Sequence, residues 1–455
     1  MKITGKKLVP AVLCCLALIL ALSGCNKKSS SGGAAVQKRP MRIVGPNLST
    51  EHSTIDPVSG KIIPGYDEVQ KMAEEAFPEF DIDITAAPWD GLTTKLQTAA
   101  ASNLVDIMLQ GAATTDIVLD LQPILDADPE FKKKAEAELF VPYAMRKADP
   151  DNFKSFALTG FVLNLDANLL VYDKKIFDDY GVSYPDENLT QEKLLELAKK
   201  LTGKDPVTGK NTYGFYIRAS QNSIYRAHLS YIMSKDIQIV EYADKKSDTK
   251  FYYDTPAAIE AFRFVNELAK YCPRSFLEDR GIENFGTEDN DVAMFIDGDV
   301  PFKYETFKAV GLEDRYGFSY PPKLENGREG WSPYVGDNNV AIARNAISKE
   351  DSWAFLKWFI TDPGIADWKV RRGQVPNNKA ALAAISRNNT YAATLSNMLD
   401  KYPKGFSPNT SVYLNTNIGA GLAILNKTLT AMWSGSITPE QAAKQTQAEF
   451  IEQVR

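Results

Sequence analysis

The residues whose types and spacing could do chemistry here are those that follow apolar runs rather than sit within them. Trp89 stands in Pro88-Trp89-Asp90, where no packing period calls for an aromatic. A flat indole there suits stacking on the apolar face of a pyranose, with a core position as the plainer alternative. Gln110, Thr115 and Asp116 fall in Gln110-Gly111-Ala112-Ala113-Thr114-Thr115-Asp116 and could hydrogen-bond hydroxyls, although polar loop residues are mostly just solvated. Arg218, Gln221, Asn222 and Tyr225 follow an apolar run and open a helix. Arg218 is the sharpest of these, because a charge directly beyond a strand end faces a cleft mouth; a surface arginine is the alternative.

Covalent chemistry finds little footing. Histidine is limited to His52 and His228, and neither belongs to His-Glu-x-x-His; Gly-x-Ser-x-Gly and a zinc-spaced cysteine pair are also missing. Gly203 with Gly209-Lys210 has one residue too many for a phosphate loop, and Asn211 replaces the required Ser or Thr. Gly419-Ala420-Gly421 lacks a third glycine and a preceding strand. A two-carboxylate glycosidase stays open, since sequence does not set the separation of acid pairs. The expected chemistry is recognition, with no cofactor and no metal.

The elements that must position these residues follow a regular rhythm. Met41-Arg42-Ile43-Val44 reads as a strand, residues 66–77 as a helix stopped by Pro78, and the alternating Phe80-Asp81-Ile82-Asp83-Ile84 as a strand. Residues 90–101 are again helical and Val105-Asp106-Ile107-Met108-Leu109 is a third strand. This alternation argues for a parallel α/β sheet, in which ligands sit beyond the carboxyl ends of the strands. Those ends carry the loops of Trp89 and of Gln110 to Asp116. A second α/β stretch begins near residue 160, with strands at Leu169-Leu170-Val171-Tyr172, Tyr213-Gly214-Phe215-Tyr216-Ile217 and Val292-Ala293-Met294-Phe295-Ile296. Thr255-Pro256 opens a helix reaching Tyr271. Val340-Ala341-Ile342-Ala343 is a strand, and Ser348 with Asp351 and Thr438 with Gln441 start helices as capping pairs.

The first residues have another purpose. Lys2, Lys6 and Lys7 precede an apolar run from Leu8 to Leu22, the pattern of a secretory signal over residues 1–24. The run contains Pro10 and falls short of the roughly 20 apolar residues of a bilayer span. Leu22-Ser23-Gly24-Cys25 resembles the lipobox of bacterial lipoproteins, which implies a lipidated Cys25. Residues 25–39, with Ser29-Ser30-Ser31-Gly32-Gly33, read as a flexible tether reaching about 20 Å. The 455-residue chain carries a formal charge of −6, and −9 without the three lysines of the signal. An acidic body of this length calls for two lobes and argues against wholesale nucleic-acid binding. Cys14 and Cys15 leave with the signal and Cys25 takes lipid, so Cys272 has no disulfide partner and is expected to be a buried inert thiol.

A wider resemblance covers most of the remaining chain. Residues 77–84, 90–101 and Asp106-Ile107-Met108 look like the opening of the family 1 extracellular solute-binding proteins of ABC importers, the maltose-binding-protein relatives. Tyr172-Asp173-Lys174-Lys175-Ile176-Phe177 with Gly181-Val182 and Pro185 is similar to that family's passage into its second lobe. Asp205-Pro206 to Phe215, Val292 to Gly298, and Gly336 to Phe359 resemble its turn-and-strand, its alanine-methionine strand and its return strand and helix. The resemblance implies an α/β, two-lobed, periplasmic-binding-protein-like (type II) fold, with a ligand cleft between lobes joined by three crossovers. Lobe 1 would hold residues 40–160 and 338–380, and lobe 2 residues 165–335 and 385–455.

It also implies a function: a monomeric binding lipoprotein on the outer side of the cell membrane, not an enzyme, that closes on a carbohydrate and hands it to permease subunits. Asp337 in Gly336-Asp337-Asn338-Asn339 matches the family's glycine-rich approach to the return strand, with a turn role as the alternative. Arg371 of Arg371-Arg372-Gly373 precedes the third crossover, where one arginine would face ligand, and Tyr413 completes the set. One departure matters. Gly298 is followed by Asp299-Val300-Pro301, with Phe302 and Tyr304 only later, whereas many sugar-binding members place an aromatic directly after this glycine. That leaves room for a modified or acidic sugar. The rival readings are a peptide or polyamine binder on the same fold, and a surface-tethered glycoside hydrolase.

Overall fold

A computed structural model describes residues 38–46, 52–55, 60–109, 116–147, 156–165, 169–218, 239–241, 243–278, 280–297, 304, 307–322, 339–401 and 418–454. Strand β1 (Arg39–Pro46) leads through helix α1 (Tyr66–Ala76) to β2 (Phe80–Ala87), then through α2 (Trp89–Ala101) to β3 (Ile107–Leu109). β1 lies parallel to both β2 and β3, as the strand–helix rhythm requires. β2 is an edge strand, and its Phe80, Ile82 and Ile84 are buried while Asp81 and Asp83 face water. Outward charges of this kind discourage pairing with another chain. β3 has no exposed residue, as befits a central strand.

The sheet is completed by strands that return from elsewhere in the chain. After α3 (Pro129–Glu138) come β4 (Tyr143–Lys147) and β5 (Phe156–Val162), which pair antiparallel. β6 (Leu169–Asp173) enters a second sheet. There it lies between β7 (Met294–Asp297) and β8 (Tyr316–Ser319), both antiparallel to it. β9 (Asn339–Ile342) then returns to the first sheet, antiparallel to β3 and β5. The large sheet therefore runs β2-β1-β3-β9-β5-β4, parallel in its opening half and antiparallel in the remainder.

Two main apolar cores accompany the two sheets. One gathers Met41 to Leu163 with Val340 to Trp368, around Phe161, Phe355 and Phe359. The other gathers Leu165 to Tyr320 with Val375 to Phe450. α4 (Gln191–Lys200) and α5 (Pro256–Leu268) pack into the second, capped by Thr190 and Thr255 whose hydroxyls accept from Lys193 N and Ala258 N. α6 (Lys349–Thr361) and α7 (Pro363–Arg371) belong to the first. Ser348 caps α6 by accepting from Asp351 N at 3.1 Å. Cys272 is buried in the second core, and burial pushes its thiol well above the ordinary range. It is an inert packing group, as its helical spacing implies.

α8 (Lys379–Ile385), α9 (Thr390–Lys401), α10 (Ile418–Trp433) and α11 (Pro439–Val454) finish the chain. Thr438 and Gln441 form a reciprocal capping box, Gln441 N donating to Thr438 Oγ1 at 3.2 Å and Thr438 N to Gln441 Oε1 at 2.8 Å. The stretch expected as a strand at 213–217 contributes only single bridges, Tyr213 to Val292 and Tyr216 to Phe295. Gly214 explains the break. A Cβ there would stand 1.9 Å from Ala198 O, so the chain is pressed onto α4 instead of running freely beside β7.

Candidate ligand-binding cleft

The carboxyl ends of β1, β2 and β3 lie at Pro46, Ala87 and Leu109. Beside the first of them stands Tyr66, the buried opening residue of α1, whose Oη donates to Pro46 O at 3.0 Å. Gly45 makes this approach possible, since a Cβ there would lie 2.5 Å from that hydroxyl. Trp368 of α7 donates through Nε1 to Gly65 O at 2.9 Å, and its ring tilts against Tyr66 with centroids 5.8 Å apart. The two aromatics thus fix the start of α1 against the end of α7.

Arg372 completes this corner. Its guanidinium carbon lies 4.5 Å over Trp368 and 5.9 Å over Tyr66, and Nη1 donates to Pro64 O at 3.1 Å. The residue is 6% exposed, Nε finds no acceptor, and no described carboxylate pairs with it. Burial pulls this guanidinium down to about 10, against a small opposing pull from Tyr66. Lys369, three residues earlier on the same side of α7, is 3% exposed. Its Nζ donates to Leu163 O at 3.0 Å and lies 5.5 Å over Phe359, and burial pulls it down to about 7. Among the described residues neither group has a carboxylate partner, and a charge so buried is costly unless something else meets it.

Arg371, the arginine expected to face ligand, is engaged differently. Nε donates to Asp367 Oδ2 at 2.8 Å and Nη1 to Glu68 Oε2 at 3.1 Å, with a second bond from Nη2 to Glu68 Oε1. Those bonds raise its already high pKa and tie α7 to α1. Helical phase separates the neighbours. Ile365, Trp368, Lys369 and Arg372 recur at the spacing of one buried face, and Arg371 falls beside it.

Between the sheets the chain crosses twice in adjacent segments. Leu165 N donates to Val375 O at 2.8 Å, and Asn164 bridges Pro376. Asn377, buried, binds three backbone groups: Nδ2 donates to Val141 O at 2.7 Å and to Val162 O at 3.0 Å, and Oδ1 accepts from Val141 N at 3.0 Å. Such a fully used amide fixes the pairing of the crossovers. Gln374, also buried, has an Oε1 without a partner. Thr159 within β5, Asn164 just beyond it and Asn339 at the start of β9 are buried as well. The junction between the two cores is therefore polar, which a dry core would not tolerate.

The other expected site residues are distributed as follows. Trp89 is the first residue of α2, directly beyond β2, and its side chain lies outside the described residues. Asp116 is exposed, and Arg218 is half-buried at the end of the Tyr216 to Ile217 run. Gln110, Thr115, Gln221, Asn222, Tyr225, Asp337, Tyr413 and the lipidation candidate Cys25 lie outside the described residues. Lys369, Gln374 and Asn377 were not anticipated. Lysine and arginine at positions i+4 and i+7 of an apolar face starting at Ile365 were the available signal. Among the described residues no cluster of His, Cys, Asp or Glu could hold a metal, and no helix is long and apolar enough to cross a membrane.

Comparison with known proteins adds to this geometry. The sequence model of the bacterial extracellular solute-binding proteins matches residues 68–394. A chain of Brucella abortus (strain 2308), named only as a binding protein, is 23% identical over 349 residues, covering 72% of this chain and 75% of its own length. Among solved structures, the sugar-binding protein MalE of Xanthomonas citri superposes with a TM-score of 0.67 at 16% identity, covering 91% of this chain and 97% of that one. The MalE maltose/maltodextrin-binding domain of Bdellovibrio bacteriovorus, solved with maltotriose, gives 0.62 at 18% identity over 91% and 100%. These likenesses carry the fold, the two-lobed α/β type II architecture of periplasmic sugar-binding proteins.

Proposed function

The chain belongs to the bacterial extracellular solute-binding protein family, and from that premise we propose that it captures an extracellular carbohydrate, an oligosaccharide, for an ABC importer. In this reading residues 1–24 are removed, Cys25 carries lipid at the outer face of the membrane, and residues 25–39 tether a monomeric body. Residues 40–160 with 338–380 form lobe 1, and residues 165–335 with 385–455 form lobe 2. The observation that carries the reading is the polar junction between two separate cores, where Asn377 binds both crossover and flanking backbone while Gln374 and Arg372 keep donors or acceptors in reserve.

The mechanism follows from linkage. A solute touching both lobes binds the closed form better, and only that difference in affinity can shift the population toward closure. Trp89, Gln110, Thr115 and Asp116 would supply the lobe 1 wall, and Arg218, Gln221, Asn222 and Tyr225 the opposing one. Asp337, Arg371 and Tyr413 would border the crossovers. Arg371 would join with a guanidinium already tied to Glu68 and Asp367 through three of its five N–H groups. The permease would then engage the closed shape.

Among non-sugar cargos, a polyamine is disfavoured by the uncompensated cations on α7, because like charges repel in a poorly solvated cleft. A surface hydrolase would announce itself by turnover of a labelled glycan, and binding without turnover is expected. Substitution of Trp89 by Ala tests the carbohydrate reading. Loss of a stacking face should weaken sugar binding by about 10-fold, measured by calorimetry, with little change in melting temperature. An unchanged affinity would remove Trp89 from the site.

A further inference from the structure

We propose that Arg372 is the anion-reading group of the cleft, so that the captured solute carries a carboxylate, as a uronic-acid oligosaccharide does, seated on this guanidinium. The inference rests on the carbohydrate reading above and narrows its substrate class.

Two observations converge on it. The guanidinium is buried, stacked on Trp368, and bonded only to one carbonyl, Pro64 O, with Nε unsatisfied. Arginine presents a planar fork that suits a carboxylate, and a fork held by a ring face is already oriented for it. The residue also lies at the carboxyl end of β1, through the chain of contacts Pro46 O, Tyr66 and Trp368, which is where ligands bind in open α/β sheets.

An anion on Arg372 has to stand clear of Asp67 in the first turn of α1, whose charged carboxylate is held by Ser53 N, Ser53 Oγ and Glu68 N, whereas Glu68 is paired with Arg371. Lys369 adds a second buried amine on the Arg372 side of α7, with no carboxylate partner among the described residues. A purely structural arginine would need none of this. One carbonyl bond and a ring contact could be made by a residue without a buried charge, whereas an anionic partner makes the charge favourable. The absence of an aromatic directly after Gly298 fits the same picture, since recognition would rest less on ring stacking and more on charge.

The test is calorimetric titration of the purified protein with tri-galacturonate, its fully methyl-esterified neutral form, and maltotriose. The expected result is binding of tri-galacturonate, weakened about 10- to 150-fold on esterification, the range of one charge-assisted hydrogen bond. Arg372→Gln should reproduce that loss and abolish the discrimination between acid and ester, while Arg372→Lys retains part of it. Should Arg372→Gln fail to fold, the ester comparison on the wild type still decides. Binding of maltotriose and of acid and ester alike would overturn the anion inference and leave the carbohydrate reading intact. Silence toward all three saccharides, with a response to peptides, would overturn both. Preference for a sulfated or phosphorylated sugar over the uronate would overturn the carboxylate assignment.

Discussion

The two ends of the large sheet treat buried charge in opposite ways. At the amino end, before β3, Asp106 is 1% exposed and fully engaged. Arg42 Nε and Nη2 donate to it at 2.8 Å each, and Arg42 N and Ile347 N add bonds at 2.9 and 2.8 Å. At the carboxyl end, Lys369 and Arg372 are also buried and, among the described residues, meet only carbonyls and ring faces. The second sheet repeats the closed arrangement, with Arg315 on Asp173 at 2.8 Å and Asn290 Nδ2 on the same carboxylate at 2.7 Å. Closed pairs stitch strands together, whereas the open cations stand where we propose that a solute arrives. The difference teaches that an unpaired buried charge is a better pointer to a site than burial or polarity alone.

The comparison can be broken most forcefully at Asp106. Asp106→Ala strands Arg42 and unties Ile347 from the sheet, and should cost about 3–5 kcal/mol in urea unfolding. Cargo affinity should be unchanged if the closed end is purely structural. Burial alone would raise the Asp106 carboxyl, but bonds from Arg42 and from the Ile347 and Arg42 amides outweigh it and hold it below the usual carboxylate range. Its folded value is thus depressed. The stability it lends is present above its unfolded value of about 4 and is lost as pH falls through the lower folded one. The variant should show a flatter acid limb than the wild type.

Lys369 gives the opposite sign. Lys369→Met, similar in length and uncharged, should stabilise the protein by about 4 kcal/mol at pH 7, because a buried amine that is costly to charge is removed. The folded value near 7 lies below the unfolded value of 10.5, so the penalty is complete below about pH 7 and fades as pH rises. The advantage of the variant should shrink by about 1.4 kcal/mol per pH unit between 7 and 10, read from paired denaturation curves. A constant advantage would mean that Lys369 does not titrate in that window. Arg371→Ala should have the smallest effect, under about 1 kcal/mol, since its pairs with Glu68 and Asp367 are half-exposed. A large loss of cargo affinity there, and none at Arg372, would reverse the roles assigned to the two arginines.

Much of the first sheet was legible from residue order. The alternating Phe80, Ile82 and Ile84, the stop at Pro78 and the all-apolar Ile107 to Leu109 each fix an element by local physics, and the observed bounds differ by one to three residues. Capping at Ser348 and at Thr438 with Gln441 was equally local. Sheet order was not legible in that way. The antiparallel insertion of β9 between β3 and β5 depends on contacts across more than 150 residues, and the β4 edge strand has no alternating pattern to mark it. At the site, the sequence marked Arg371-Arg372-Gly373 but not which arginine turns inward. Helical phase from Ile365 decides it, and that phase has meaning only once α7 is known to pack its Ile365 face on α1 and β5.

The most direct measurement of the central claim, capture of an extracellular carbohydrate, is a thermal-shift screen of the purified protein. The panel holds neutral and acidic mono- and oligosaccharides, amino acids, peptides and polyamines. A ligand at 100 times its dissociation constant adds about 2.7 kcal/mol, which for a protein of this size raises the melting temperature by several degrees. The account predicts such a shift for one saccharide series, strongest among its acidic members. A response confined to peptides or amines, with every saccharide silent, would contradict it.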